Sequence, residues 1–445
     1  MMRNFRPTRV RSIWVRQAPV AALVLWICLW LNLNTGYNEP PSSYRIADWL
    51  LFIRGLLPFV VLPVAGFLLL RRGKLHLPRR SPSRLLLIYG AFAAFATVFS
   101  LLPFWAMYWS FAFLATILAA WTFIDRSDPV DSARQLLQIT WVATFIVAAI
   151  IGYQARGVVF GEKAGLDVLT ELNGLSRSSG VARWAAVPGL VCLVRAYHTR
   201  RPSLIAFFLG AAGVCFFIVY RMESRGAIFA AVAALLFALL VSSRMRRYAL
   251  PFAAAAIVLI FLFDSPTTVS NNVATYLRRG QDREEFLTMT GRTRAYQEAL
   301  VAIEHAPFFG RGQWADRLII RTHVHNSFLQ ALLNGGLFGG IPYVASWFAG
   351  WFLFYKLQKR RELLKPSDRI HLLECGTVMM FFTVRAMPET TTASYAVDLL
   401  VMVAVYVYLE SLTLQMNSKQ APQLIRPYYV ASPMANRPRT RVRVG

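Results

Sequence analysis
The sequence is short of acid. Its 445 residues carry 22 aspartates and glutamates against 48 lysines and arginines, a formal net charge of +26. It is also short of cysteine. Cys28, Cys192, Cys215 and Cys375 all lie in apolar runs, and none sits in the longer polar connections where a disulfide could form, so they read as small core residues. No G-x-x-x-x-G-K-[ST] string occurs, which argues against an ATP-driven motor. No internal repeat divides the chain into the matched halves of a two-half transporter.

What is present is apolar sequence in unbroken runs. Hydrophobic residues make up 56% of the chain, and about 20 consecutive apolar residues suffice for a helix to cross a ~30 Å hydrocarbon core. The runs predict spans near 18–34, 48–70, 85–101, 104–124, 136–154, 182–198, 202–220, 226–243, 249–264, 327–354, 370–385 and 394–412. They are continuous rather than alternating, so helices are expected and not a barrel. The fold class expected is therefore an all-α polytopic membrane protein with about twelve transmembrane helices.

The basic residues give the orientation. With the N-terminus inside, the inner connections hold 31 lysines and arginines and the outer ones 15, and every inner connection is basic. That is the positive-inside pattern, with both termini inside. It directs the charge toward anionic lipid headgroups and away from nucleic acid. The N-terminal basic stretch and the run Pro19 to Leu33 read as an uncleaved first helix, because Asn34, Thr35, Gly36 and Tyr37 do not form a small-x-small cleavage site.

Four segments follow: membrane helices over 1–264, an outer loop over 265–326, three more spans over 327–412, and a basic tail over 413–445. The tail is rich in Pro and Arg from Lys419 onward and is expected to be disordered. The loop between the ninth and tenth spans is too long for a plain connector. Within it, GRTRAYQEALVAIEH predicts a helix that Thr290 can cap, with Tyr296, Leu300 and Ile303 on one face. Pro307, Gly310 and Gly312 end it, and Asn326 or Ser327 can cap the tenth span.

Groups able to do chemistry gather on the outer side. Arg225 follows Arg221 by one turn in a very short connection between apolar runs. A cation there needs a partner, a route to the headgroups or an anionic ligand. A salt bridge to Glu223 is the simplest alternative. Arg292 and Arg294 start the loop helix, where free N–H groups and the dipole suit a phosphate or diphosphate. The loop has eight arginines and no lysine, a bias toward phosphate recognition over generic charge. His323 and His325 precede the tenth span. A histidine there can take a proton from a hydroxyl at neutral pH, or can simply serve the helix cap. No third ligand at zinc spacing accompanies them, and no loop holds a D-x-D pair, so neither a metal nor a cofactor is expected.

From His325 the string fits H-[NSQ]-x9-G-x2-[GTY] without a gap: His325, Asn326, nine residues to Gly335, then Gly336 and Gly339. This resembles the signature of the O-antigen ligase family, which also holds polysaccharide polymerases and protein O-oligosaccharyltransferases. SRGA at Ser224–Ala227 looks like the family's S-R-G segment. TGRTRAY at Thr290–Tyr296 looks like its loop S/T-G-R segment, with Tyr296 where tryptophan is common. EHAPFFGRG resembles the next conserved stretch, with Ala306 inserted before the proline, and RAMPE at Arg385–Glu389 resembles a late R-x-x-x-E element.

The resemblance implies a metal-independent membrane glycosyltransferase of the bacterial inner membrane, with its active site facing the periplasm. Its donor would be a glycan on undecaprenyl diphosphate, and its acceptor a hydroxyl of lipid A–core, of another glycan or of a protein. Carried over by motif, Arg225 and Arg292 would hold the diphosphate and His325 would be the base. Arg294, Arg221, His323 and Asn326 are further candidates for substrate contact, Asn326 with helix capping as its favoured role. Gly336 and Gly339 are the motif glycines, for which close helix packing is the plainer explanation. A lipid-linked glycan transporter is the reading from another class. It would need ionisable residues deep in the spans, and these are nearly free of acids at mid-depth.

Overall fold
The computed structural model describes residues 13–33, 48–72, 81–125, 127–154, 156–160, 178–222, 224–247 and 292–424. The predicted ninth span, residues 265–291 of the loop with the Thr290 cap, Glu223, and the tail beyond 424 lie outside the described residues.

Among the described residues the chain is helical, with no strand. The helices are α1 (Ile13–Leu31), α2 (Asp48–Arg72), α3 (Pro82–Phe95), α4 (Pro103–Thr122), α5 (Pro129–Gln154), the short α6 (Arg156–Phe160), α7 (Ser178–His198), α8 (Pro202–Arg221), α9 (Arg225–Val241), α10 (Arg292–Glu304), α11 (Ser327–Lys359), α12 (Pro366–Arg385) and α13 (Val397–Leu424). A helix lies over each predicted span except the ninth. Seven of the described helices are long and apolar enough to cross a membrane, and Val20–Leu31 and Arg225–Val241 are shorter apolar helices. The chain is a multi-pass membrane protein. α13 runs past the predicted end at 412 to Leu424, because Leu412 and Met416 continue its buried face.

α13 is the axis of the packing. Tyr406, Tyr408 and Leu409 are buried, and the helix touches α3, α4, α5, α11 and α12. α3 lies along α11, and α9 along α12. The few acids within the spans are buried. Glu374, near the middle of α12, is fully buried. It accepts from Arg195 Nε at 2.7 Å and Trp141 Nε1 at 3.0 Å, and pairs with His371 Nδ1 at 2.8 Å. Glu410 takes hydrogen bonds from Ser81, Ser83 and the Ser83 amide. Asp398 pairs with Arg183 at 2.8 Å. Glu374 and Glu410 have donors at both oxygens, and Asp398 has the Arg183 cation at one, which is what lets them sit in a dry bundle.

One helix is broken where it serves the site. At Gly336, α11 departs from helical geometry with φ 59° and ψ −161°. The break frees backbone groups on both sides, and the segment after α10 supplies partners for them. Arg311 and Gly312 N–H donate to the Leu333 and Asn334 carbonyls, both at 2.9 Å. Leu337 and Phe338 N–H donate to the Pro307 and Phe308 carbonyls at 2.7 and 3.1 Å. A Cβ on Gly336 would lie 2.3 Å from the Phe308 carbonyl carbon and oxygen. Gly336 is thus the point where a loop threads into a helix, a stricter role than close helix packing. Gly339 does fit the packing reading: its Cβ position faces Tyr89 and Phe92 of α3.

Candidate functional site
The site begins with a strained segment. Trp314, Arg321 and His325 are the non-glycine residues with positive φ among those described, at 69°, 57° and 52°. All three fall between α10 and α11. Such conformations cost of order 1–3 kcal/mol each and persist only where surrounding contacts over-determine them. Here the contacts are visible. Tyr296 Oη donates to the His325 carbonyl at 3.1 Å. Asn326 caps α11, accepting from the Phe328 and Leu329 amides at 2.9 and 3.0 Å, and its Nδ2 donates to the Met387 carbonyl. Asn326 therefore fills the capping role favoured from sequence.

The turn after α12 closes on this segment. Ser327 N–H donates to the Ala386 carbonyl, and its Oγ donates to the Glu389 carbonyl at 3.0 Å. That fixes Glu389 between two predicted residues. His325 Nδ1 lies 3.1 Å from Glu389 Oε2, and Arg292 Nη2 lies 2.9 Å from Oε1. Arg292 Nη1 also donates to the Pro388 carbonyl at 2.7 Å. Burial pushes the Glu389 carboxyl up, but the His325 hydrogen bond and the charges of Arg385, His325 and Arg292 outweigh it. They hold Glu389 well below the usual carboxylate range. An ionised Glu389 requires Nδ1–H on His325, which leaves Nε2 as the basic nitrogen. Burial holds His325 below the ordinary histidine value. Glu389 opposes that shift, and His323 and Arg292 add to it.

Around His325 opens a cavity of about 340 Å³ lined by Arg292, Arg294, Glu298, Thr322, His323 and His325. Arg294 is largely exposed and pairs with Glu298 one turn on. His323 Nδ1 lies 2.9 Å from the buried Asp316, and its ring centroid lies 4.8 Å from that of His325. The first residues of α9 reach the same place: the Cβ position of Gly226 is 3.7 Å from the Pro388 ring. Arg225 thus starts a helix beside Pro388 but does not line the cavity. Arg221 turns elsewhere, with Nε donating to the Val159 carbonyl at 2.9 Å. Among the described residues no group of three or more His, Cys, Asp or Glu side chains is placed to hold a metal ion.

α10 forms as predicted, with one difference. Ala295 and Ala299 are buried, while Tyr296 and Ile303 pack with Val324 and Leu333. Leu300 is 49% exposed. The inward face is made by Ala295 and Ala299 with Tyr296 and Ile303, and Leu300 falls outside it.

Glu389 was not among the site residues taken from sequence. The only signal was the R-x-x-x-E likeness at Arg385–Glu389. Its role predicts a pH effect. With His325 as the base that the resemblance implies, activity is expected to rise with pH through a midpoint below about 6.5. Glu389→Gln removes the charge that raises the His325 value. The acid limb then moves to still lower pH, while the maximal rate falls on the order of 10²- to 10⁴-fold. A pH–rate profile of both proteins checks this.

Comparison with known proteins bears on this arrangement. Residues 210–344 match the family model described as O-antigen ligase, which supports assigning this stretch to that family. The match takes in Arg225, Arg292, His325, Gly336 and Gly339 and ends before Glu389. No curated protein matches the chain.

Proposed function
We propose that this protein transfers a glycan from undecaprenyl diphosphate to an acceptor hydroxyl at the periplasmic face of a bacterial inner membrane. The observation that carries the reading is the bridge from Arg292 through Glu389 to His325 at the wall of a basic cavity. The leaving group is a diphosphate ester, so negative charge builds on phosphate oxygens as the glycosidic bond breaks. Arg292, Arg294 and the N-terminus of α9 with Arg225 supply positive charge for it. His325 Nε2 takes the proton of the attacking hydroxyl. A base facing the leaving group across the sugar gives direct displacement with inversion. No metal or nucleotide enters this chemistry, and the partners are the lipid-linked donor, the acceptor and membrane lipid.

The topology that goes with this reading is twelve spans with both termini inside. Spans 1–9 occupy 1–264, the loop 265–326 lies in the periplasm, spans 10–12 occupy 327–412, and the basic tail 413–445 is inside. Positive-inside charge supports that orientation. Ligase chemistry in lipopolysaccharide or cell-surface polysaccharide assembly is the version we favour. A polysaccharide polymerase or a protein O-oligosaccharyltransferase would use the same site.

The test is deletion of the gene in its host with analysis of undecaprenyl-linked glycans. Long polymer on the carrier, with the final conjugate missing, identifies a ligase or protein transferase. Single repeat units identify a polymerase. Unchanged carrier-linked glycans, with full complementation by a His325 variant, would reject glycan transfer and turn attention to a lipid-linked glycan transporter.

A further inference from the structure
The cavity holds not one histidine–carboxylate pair but two. His325 is backed by Glu389 and His323 by Asp316, and the two rings lie side by side at 4.8 Å between centroids with a 44° tilt. Both histidines line the same space. Asp316 is buried, and more than His323 holds it in place. Gln330 Nε2 donates to its Oδ1 at 3.2 Å, and Gln330 is bonded on to Asn334 at 2.9 Å, Asn334 to Gln313 and Tyr89. Burial pushes the Asp316 carboxyl up, but its His323 hydrogen bond, the His323 and Arg317 charges and Gln330 outweigh it and keep it low. An ionised Asp316 takes Nδ1–H from His323, which leaves Nε2 as the second hydrogen-bonding nitrogen of its ring. One base suffices to deprotonate one hydroxyl. A second, fixed hydrogen-bonding nitrogen beside it matches a second hydroxyl on a neighbouring carbon. The cavity volume of about 340 Å³ lies at the lower end of ligand sites, which run about 300–1,000 Å³, and leaves room for a sugar ring.

Resting on the transfer reading above, we infer that His323, held by Asp316, binds a hydroxyl adjacent to the one that His325 activates, and that the acceptor is therefore a saccharide with vicinal hydroxyls. An isolated serine or threonine hydroxyl would leave His323 without a partner. His323 is a specificity-determining residue in this scheme, and the proton stays with His325.

The experiment compares wild type, His323→Ala and Asp316→Asn in phospholipid vesicles. The donor is undecaprenyl-diphosphate-linked glycan, and the acceptor is the lipid fraction extracted from a strain lacking the gene, at varied concentration. Loss of one hydrogen bond to the acceptor should raise the acceptor KM about tenfold in His323→Ala, with kcat lowered less than about threefold and a smaller KM rise in Asp316→Asn. His323→Gln, which retains a hydrogen-bonding group, recovers part of the loss and carries the comparison if the alanine variant does not accumulate. A fall in kcat at constant acceptor KM would make His323 a proton carrier and overturn the inference. So would a seryl peptide accepted as efficiently as the saccharide by wild type and His323→Ala alike. Failure of wild type itself to transfer glycan would remove the transfer reading, and that failure shows before any substitution is compared.

Discussion

Replacing His325 is expected to lower the rate of glycan transfer by about 10²- to 10⁴-fold, the usual contribution of a positioned general base. Asparagine is the better replacement than alanine. His325 has φ 52°, and asparagine tolerates that left-handed geometry far more readily than other residues with a side chain. His325→Asn therefore removes the base while keeping the turn that starts α11, and protein levels in the membrane should match wild type. His325→Ala loses the base and strains the turn together. Comparing the two separates chemistry from folding: equal membrane levels for His325→Asn and wild type, with the transferred glycan missing only in the variant, is the expected pair of results from blots of membranes and of surface glycan.

The second large effect is on folding. Gly336→Ala should destabilise the protein by more than about 4 kcal/mol, beyond the range of ordinary single substitutions. Two reasons combine. The backbone at φ 59° and ψ −161° belongs to a region that is essentially glycine-only. The added methyl would also meet the Phe308 carbonyl at 2.3 Å and the Phe309 nitrogen at 2.5 Å, backbone atoms that cannot swing aside. Gly310 sits against the same break from the other side, its Cβ position 2.5 Å from Gly336 N. The contrast is Gly339, three residues on in the same motif. Its Cβ position is 3.3 Å from a Tyr89 ring carbon and 3.4 Å from Phe92 Cβ. Gly339→Ala asks only for small side-chain shifts, at about 1–3 kcal/mol. Size-exclusion profiles and thermal melting in detergent should show Gly336→Ala aggregated or absent and Gly339→Ala folded with a lowered Tm.

The two motif glycines show how far the sequence could be read. Spacing placed both, but φ is not a property of spacing. The need for Gly336 arises from a loop that enters the helix from residues 307–312, and only the fold brings them together. Local features were legible. The apolar runs predicted a helix at every described span, the loop segment from Arg292 is helical as expected, and the Asn326 cap follows from asparagine preceding an apolar run. Long-range pairing was not. Glu389 stands 64 residues from His325 and 97 from Arg292, and no local pattern states that a turn after α12 will fold back on α11. Only likeness to a known motif hinted at it. The partners of the buried acids were hidden for a related reason. Glu374, Asp398 and Glu410 look like isolated charges in apolar runs until Arg195, Arg183 and the Ser81–Ser83 pair are seen opposite them. Arg225 stands outside the cavity. Its helix begins beside Pro388, where the donor reading needs positive charge, while Arg292 and Arg294 line the cavity itself.

The most direct test of the central claim is glycan transfer by the purified protein. Wild type and His325→Asn would be reconstituted in phospholipid vesicles with undecaprenyl-diphosphate-linked glycan and the acceptor lipid from a deletion strain, and products resolved by mass. Transfer by wild type, with release of undecaprenyl diphosphate and almost none by His325→Asn, is the predicted result. Movement of intact donor across the bilayer with no new glycosidic product, the same in both proteins, would contradict it.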